Sequence, residues 1–182
     1  MTDALHPQIA AEFARKGLRF YGGAQASATG RAPSATIPTT GATAILWNGN
    51  AEHSLIIERI TMWQLSGTAA VGANILAAIT NAAVASPTAA ANFASTSASK
   101  GGRATKCVWG ENITLGATPT WGVWQGSGNP ATTTNGGITA DISGLILIPP
   151  GYALALNVLS GTGTSPLFLP TVVWSEAELD LE

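Results

Sequence analysis

The chain's 182 residues and 18.4 kDa suffice for one domain with a sizeable core, yet it carries only 8 basic and 10 acidic side chains. Soluble domains are typically about 25% charged, whereas this one is 10% charged with a net charge of −2, which excludes the basic stripe of a nucleic-acid binder. Cys107 stands alone, so no internal disulfide framework staples the fold.

So few charges leave a neutral, partly apolar surface, and such surfaces associate. The expectation is that other protein covers much of it, in a homo-oligomer or a larger assembly. Residues 1–20 contain Asp3, Glu12 and three basic residues and lack the apolar run of a secretion signal. The weakly polar stretch 69–91 is interrupted by Asn74, Thr80, Asn81, Ser86, Pro87 and Thr88, unlike a membrane span. Synthesis in a cytoplasm, with no membrane partner, is expected.

Taken in chain order, HPQIAAEFARKGLR at 6–19 predicts the one helix. Pro7 suits a first turn, Ile9 and Phe13 fall on one side, and Lys16 and Gly17 suit the end. The helix either folds back on its own domain or forms an arm that docks elsewhere with Phe13, Phe20 and Tyr21. GGAQASATG at 22–30 reads as a flexible connector. The organisation expected is an arm and linker over 1–34, a β domain over 35–176 and an acidic tail over 177–182. Removal of 1–21 should then leave the domain folded.

Strands are predicted over 35–48, 54–66, 70–80, 103–110, 112–116, 120–125, 137–148, 151–160 and 166–175, each rich in β-branched or aromatic residues and bounded by turn formers. Tyr152, Leu154, Leu156 and Val158 share one face of their strand; Ala153, Ala155 and Asn157 share the other, which suits close subunit packing. The alternation over 56–64 is less clean. Segments 81–102 and 126–137 read as long loops. The fold class is all-β: an antiparallel β-sandwich, jelly-roll-like, with a short N-terminal helix or extended arm, ahead of a closed up-and-down barrel.

Catalytic chemistry needs groups that move protons, attack or hold a metal, and few are offered. His6 and His53 lack a second histidine at ligand spacing, and Cys107 lacks a CxxC partner, so no catalytic, cofactor or metal site is assigned. Cys107 reads as a small buried hydrophobe. Glu58 and Arg59 are neighbours on a strand and cannot pair with each other, so each needs a partner elsewhere or solvent. Asp141, alone in a neutral stretch, caps a turn or marks a subunit contact. Trp109, Trp121 and Trp124 fill a core otherwise built from small residues, or else they stack on sugar rings.

The order of segments carries a resemblance. ILWNGN at 45–50 is followed by IIERITMW at 56–63; later come IPPGYALAL at 148–156, SGTGT at 160–164 and VVWSE at 172–176. This arrangement, over about residues 35–176, resembles β-sandwich decoration or cement proteins of tailed-bacteriophage virions. The resemblance implies a homotrimer on the capsid surface that binds between major capsid subunits and stabilises the shell, with no enzymatic role and no cofactor. Shell contact is expected from Phe13, Arg15, Lys16, Arg19, Phe20 and Tyr21, and trimer contact from Tyr152, Leu154, Leu156 and Trp174. The alternative is a tail or fibre tip that binds a receptor or carbohydrate.

Overall fold

The computed structural model describes residues 7–24, 30–68, 72–91, 93–98, 104–126, 137–161 and 164–178. Helix α1 (Pro7–Arg15) precedes ten strands: β1 (Arg19–Ala24), β2 (Gly41–Trp47), β3 (Ser54–Thr68), β4 (Ala73–Ile79), β5 (Phe93–Ser97), β6 (Val108–Thr114), β7 (Gly122–Gly126), β8 (Gly137–Ile148), β9 (Ala153–Ser160) and β10 (Thr164–Ala177). All the strand pairings are antiparallel. Sheet A runs β5-β1-β10-β3-β8 and sheet B runs β6-β2-β9-β4-β7.

The pairings are nested. β1 lies beside β10, β2 beside β9, β3 beside β8 and β4 beside β7, as if one long hairpin had been folded over itself. Wrapping then brings β10 against β3 and β9 against β4. That is the jelly roll. β5 and β6, the innermost strands of the long hairpin, do not pair with each other; β5 extends sheet A beside β1 and β6 extends sheet B beside β2. Two open sheets exclude the closed barrel.

The inner faces meet in one core, in which Phe20, Leu46, Ile57, Met62, Ile75, Leu154, Leu156, Phe168 and Trp174 are buried. The uneven alternation over 56–64 has a local cause. Leu55 and Ile57 point inward and so do Ile60 and Met62, because Glu58 is an extra residue between Ile57 and Arg59 where the register with both β10 and β8 shifts. A bulge reverses the phase of a strand's alternation.

The N-terminal segment is the main departure from expectation. The helix ends as the sequence predicts: Gly17 adopts φ 68°, its N–H donates to Ala14 O, and Leu18 N–H donates to Phe13 O, a Schellman cap. The chain then enters sheet A at once. β1 is bonded on one side to β10 and on the other to β5, so residues 19–24 belong to the sandwich and not to a linker. A Cβ at Gly22 would stand 2.5 Å from Trp109 Nε1 and 3.0 Å from Trp174 Cη2. The glycine there is a strand position under two indoles. Residues 25–29, the rest of the expected connector, lie outside the described residues.

Two further boundaries move. β2 begins at Gly41 because Pro33 and Pro38 supply no N–H to a ladder; residues 31–34 instead bridge the sheets, bonding Phe168 of β10 and Val158 and Ser160 of β9. The 81–102 segment contains β5, while 103–110 and 112–116 give one strand, β6. Of the 126–137 loop, 127–136 lie outside the described residues, as do 179–182 of the tail.

Candidate interaction surface

The two outer faces of the sandwich differ. On sheet B, Ala42, Ile45, Ala153 and Ala155 are buried under the chain's own Leu115, Val84 and Trp121. Trp47 Nε1 donates to Val84 O at 2.9 Å and Gly151 O at 3.2 Å, and Asn81 Nδ2 donates to Thr118 O at 2.7 Å, which ties the covering loops down. The alanine face of β9 is therefore occupied within the chain.

On sheet A the outer face stays exposed. Tyr21 is 50% exposed, Trp63 46% and Leu65 42%, and register sets these side chains in rows across the sheet. One row is Tyr21, Val173, Arg59 and Asp141; the next is Thr171, Thr61 and Thr139; a third begins with Leu169 and Trp63. Arg59 Nε donates to Asp141 Oδ1 at 2.7 Å, so the one charged pair in these rows is internally neutralised. What remains is aromatic, aliphatic and threonine. A surface of that composition loses little by desolvation and gains by burial.

Several residues expected at interfaces lie elsewhere. Leu154, Leu156 and Trp174 are fully buried in the core and offer nothing to a neighbouring copy; Tyr152 is half-buried against the same core. The leucine side of β9 faces inward because the alanine side is the one the loops cover. Phe20 is also fully buried, stacked on Trp174 with ring centroids 5.8 Å apart. Arg19 is spent on Glu58, donating from Nε at 2.9 Å, while Ser175 Oγ donates to the other carboxylate oxygen at 2.6 Å. Strand alternation is the cause: β1 is a sheet strand that commits Phe20 inward, as β9 commits Leu154 and Leu156 and β10 commits Trp174.

On the outer face of β1 Tyr21 stands with Arg19, whose side chain is one-third exposed and engaged by Glu58. On α1, Arg15 and Lys16 are exposed and Phe13 is half-buried, beside an apolar cleft of about 340 Å³ lined by Ile9, Glu12, Phe13, Lys16 and Leu18. Arg15 donates to both Glu12 oxygens, and that hydrogen bond holds the Glu12 carboxyl down at about 2.

The tryptophans divide in a similar way. Trp109 is core, its ring tilted against that of Phe93; Trp124 packs against the core from the side; Trp121 covers sheet B. Trp109 is closed to a sugar and Trp121 and Trp124 are half-buried, whereas Trp63, which the sequence did not single out, is the exposed one. Its ring lies against Gly137 of the edge strand β8, a pairing visible only once the register is known. Cys107 is buried: burial pushes its thiol well above the usual range, and Sγ lies 3.7 Å from Glu176 Oε1, which also accepts from Thr105 Oγ1 at 2.6 Å. Glu58 and Arg59, expected to find separate partners, do so in Arg19 and Asp141.

Asn48 links the two most distinctive sequence segments. Its Nδ2 donates to His53 O at 2.8 Å and Ile148 O at 2.9 Å, and its Oδ1 accepts from Asn50 N and Nδ2. Gly151 N–H donates to Asn48 O, and Asn48 N–H to Tyr152 O. The ILWNGN turn is thereby fastened to the IPPGY turn. No family model matches this chain, and no curated protein matches it either.

Proposed function

We propose that this chain is a structural protein of a virion, a homotrimeric decoration or cement protein that sits between major capsid subunits of a tailed-bacteriophage-type shell and strengthens it. The observation that carries the reading is the asymmetry of the sandwich: one sheet is covered by the chain's own loops, while the other presents Tyr21, Trp63, Leu65, Leu169 and Val173. A face whose charges are paired off, Arg59 with Asp141 and Arg19 with Glu58, suits a broad, shape-driven contact better than a small-molecule site. Many copies on one shell make each weak contact effective through avidity. The jelly roll also hosts lectins and enzymes, so the fold alone does not choose; the composition of the open face is what supports the assembly reading.

The expected shell contact narrows to Tyr21 with the outer rows of sheet A, flanked by Arg15 and Lys16 on α1. Co-sedimentation with capsid shells prepared without this chain tests it. Tyr21→Glu places a charge in the open face and is expected to reduce bound protein at least tenfold. Ile37→Glu, at an exposed position in the segment before β2, is expected to bind like the parent. Undiminished binding by Tyr21→Glu would overturn the assignment.

A further inference from the structure

The ILWNGN segment contains the dipeptide Asn48-Gly49, and the fold demands both residues. A Cβ on residue 49 would collide with the Lys106 carbonyl oxygen and stand 2.6 Å from Trp47 Cζ3, so only glycine lets the backbone pass there. Asn48 is fully buried with both ends of its carboxamide bonded: Nδ2 donates to the His53 and Ile148 carbonyls, and Oδ1 accepts from Asn50 N and Nδ2. Asparagine is a chemically labile side chain, and a following glycine has no side chain to hinder attack by its backbone nitrogen. The closure of the sandwich is therefore built on a pair of residues that is reactive once exposed.

We infer that Asn48 is a deamidation site that the native fold seals and unfolding opens, and that its conversion makes unfolding irreversible. In the reaction the Gly49 backbone nitrogen loses its proton to solvent base and attacks Asn48 Cγ. The Cγ–Nδ2 bond breaks and the amide leaves as ammonia, taking up a proton that balances the one lost. Water then opens the cyclic imide at either carbonyl. The product is aspartate, or isoaspartate in which the main chain runs through the side-chain carboxyl. The sum is one water consumed and one ammonia released, with no change of oxidation state.

The native turn blocks this chemistry in two ways. Ring closure needs the Gly49 nitrogen over the face of the carboxamide, so the side chain and the following peptide must rotate together. The carboxamide is held by its bonds to His53, Ile148 and Asn50, and the backbone by Asn48 N–H donating to Tyr152 O and Gly151 N–H donating to Asn48 O. Burial of Asn48 and Asn50 also keeps water and base away. Conversion therefore waits until the β2–β3 turn parts from the β8–β9 turn. The product does not return to the native turn. Aspartate sets a buried carboxylate against two carbonyl oxygens, and isoaspartate adds a carbon to the main chain between the bonds to Tyr152 and Gly151. Unfolding followed by chemical change is a one-way process governed by rates.

The test holds the full chain native and, in parallel, unfolded in guanidinium chloride at the same mildly alkaline pH. Samples taken over time are digested with trypsin, and conversion at Asn48 is read by mass spectrometry in the peptide spanning 32–59. Asn135-Gly136, the other Asn-Gly of the sequence, falls in a separate peptide and is scored independently. Conversion at Asn48 is expected to be at least tenfold slower in the native sample. After dilution of the denaturant, the refolded fraction is expected to fall in step with Asn48 conversion, and the refolded pool to retain unmodified Asn48. Asn135→Gln is expected to lose refolding at the parent rate. Equal conversion in the two samples, converted Asn48 in a refolded pool with the parent melting curve, or preserved refolding in Asn135→Gln overturns the inference.

Discussion

Asn48→Ala tests how the sandwich is closed at one end. The side chain is fully buried and joins the β2–β3 turn to the β8–β9 turn. Alanine removes the donor to Ile148 O, a buried carbonyl, at about 2 kcal/mol, because an unsatisfied buried acceptor costs about 1–3 kcal/mol. The His53 carbonyl is less buried, and its loss costs about 1 kcal/mol; the Asn50 groups that lose Oδ1 cost about 1 kcal/mol more. The expected loss is about 4 kcal/mol, which for a chain of this length lowers Tm by roughly 12 °C. Thermal and urea unfolding followed by circular dichroism, at fixed protein concentration, reads it directly. Asn48→Asp keeps an acceptor for Asn50 but sets a carboxylate against the two carbonyls, so it should fall at least as far. A Tm within about 3 °C of the parent for Asn48→Ala would refute the argument that this asparagine bears the closure.

Three other outcomes are expected. Gly22→Ala forces a methyl against Trp109 and Trp174 and should cost about 2 kcal/mol or more in urea unfolding, as over-packing does. Truncation after Lys16 should leave a cooperative melt, whereas truncation after Tyr21 removes Phe20 and half of β1 and should abolish it, contrary to an arm that can be deleted whole. The Glu12 carboxyl, held down by its hydrogen bond from Arg15, should titrate in an NMR series near pH 2. Its support of the helix is complete above the ordinary value of 4.5 and is lost as pH falls towards about 2; in Arg15→Ala the midpoint should return towards 4.5.

Much of sheet A was legible because β3, β8 and β10 are long and β-branched. β1 was not, because Gly22 and Gly23 look like a hinge until Trp109 and Trp174 are known to press on that backbone. β5 was missed for another reason. FASTS buries Phe93 and otherwise shows small polar residues, and an edge strand gives little alternation to read. β9 was found, but its sidedness was not. Both of its faces are apolar, and the choice of the leucine side for the core depends on loops from 80–91 and 115–121 that sequence periodicity does not register. The candidate site suffered accordingly: Tyr21 survived through the parity of β1, while Phe20, Leu154, Leu156 and Trp174 went to the core by the same rule. Trp63 gave no signal of its own, since its exposure follows from the bulge at Glu58.

β10 lies at the centre of sheet A, between β1 and β3, although it is the last of the described strands to be synthesised. Until the ribosome has passed Ala177, β1 has no neighbour on that side and the hydrophobic faces of Phe20 and Ile60 stand open. Contacts of such long sequence separation form slowly, and partly made chains of this kind aggregate. Sheet A therefore cannot close before β10 has been made, and a nascent chain stalled before β10 should be a client of chaperones.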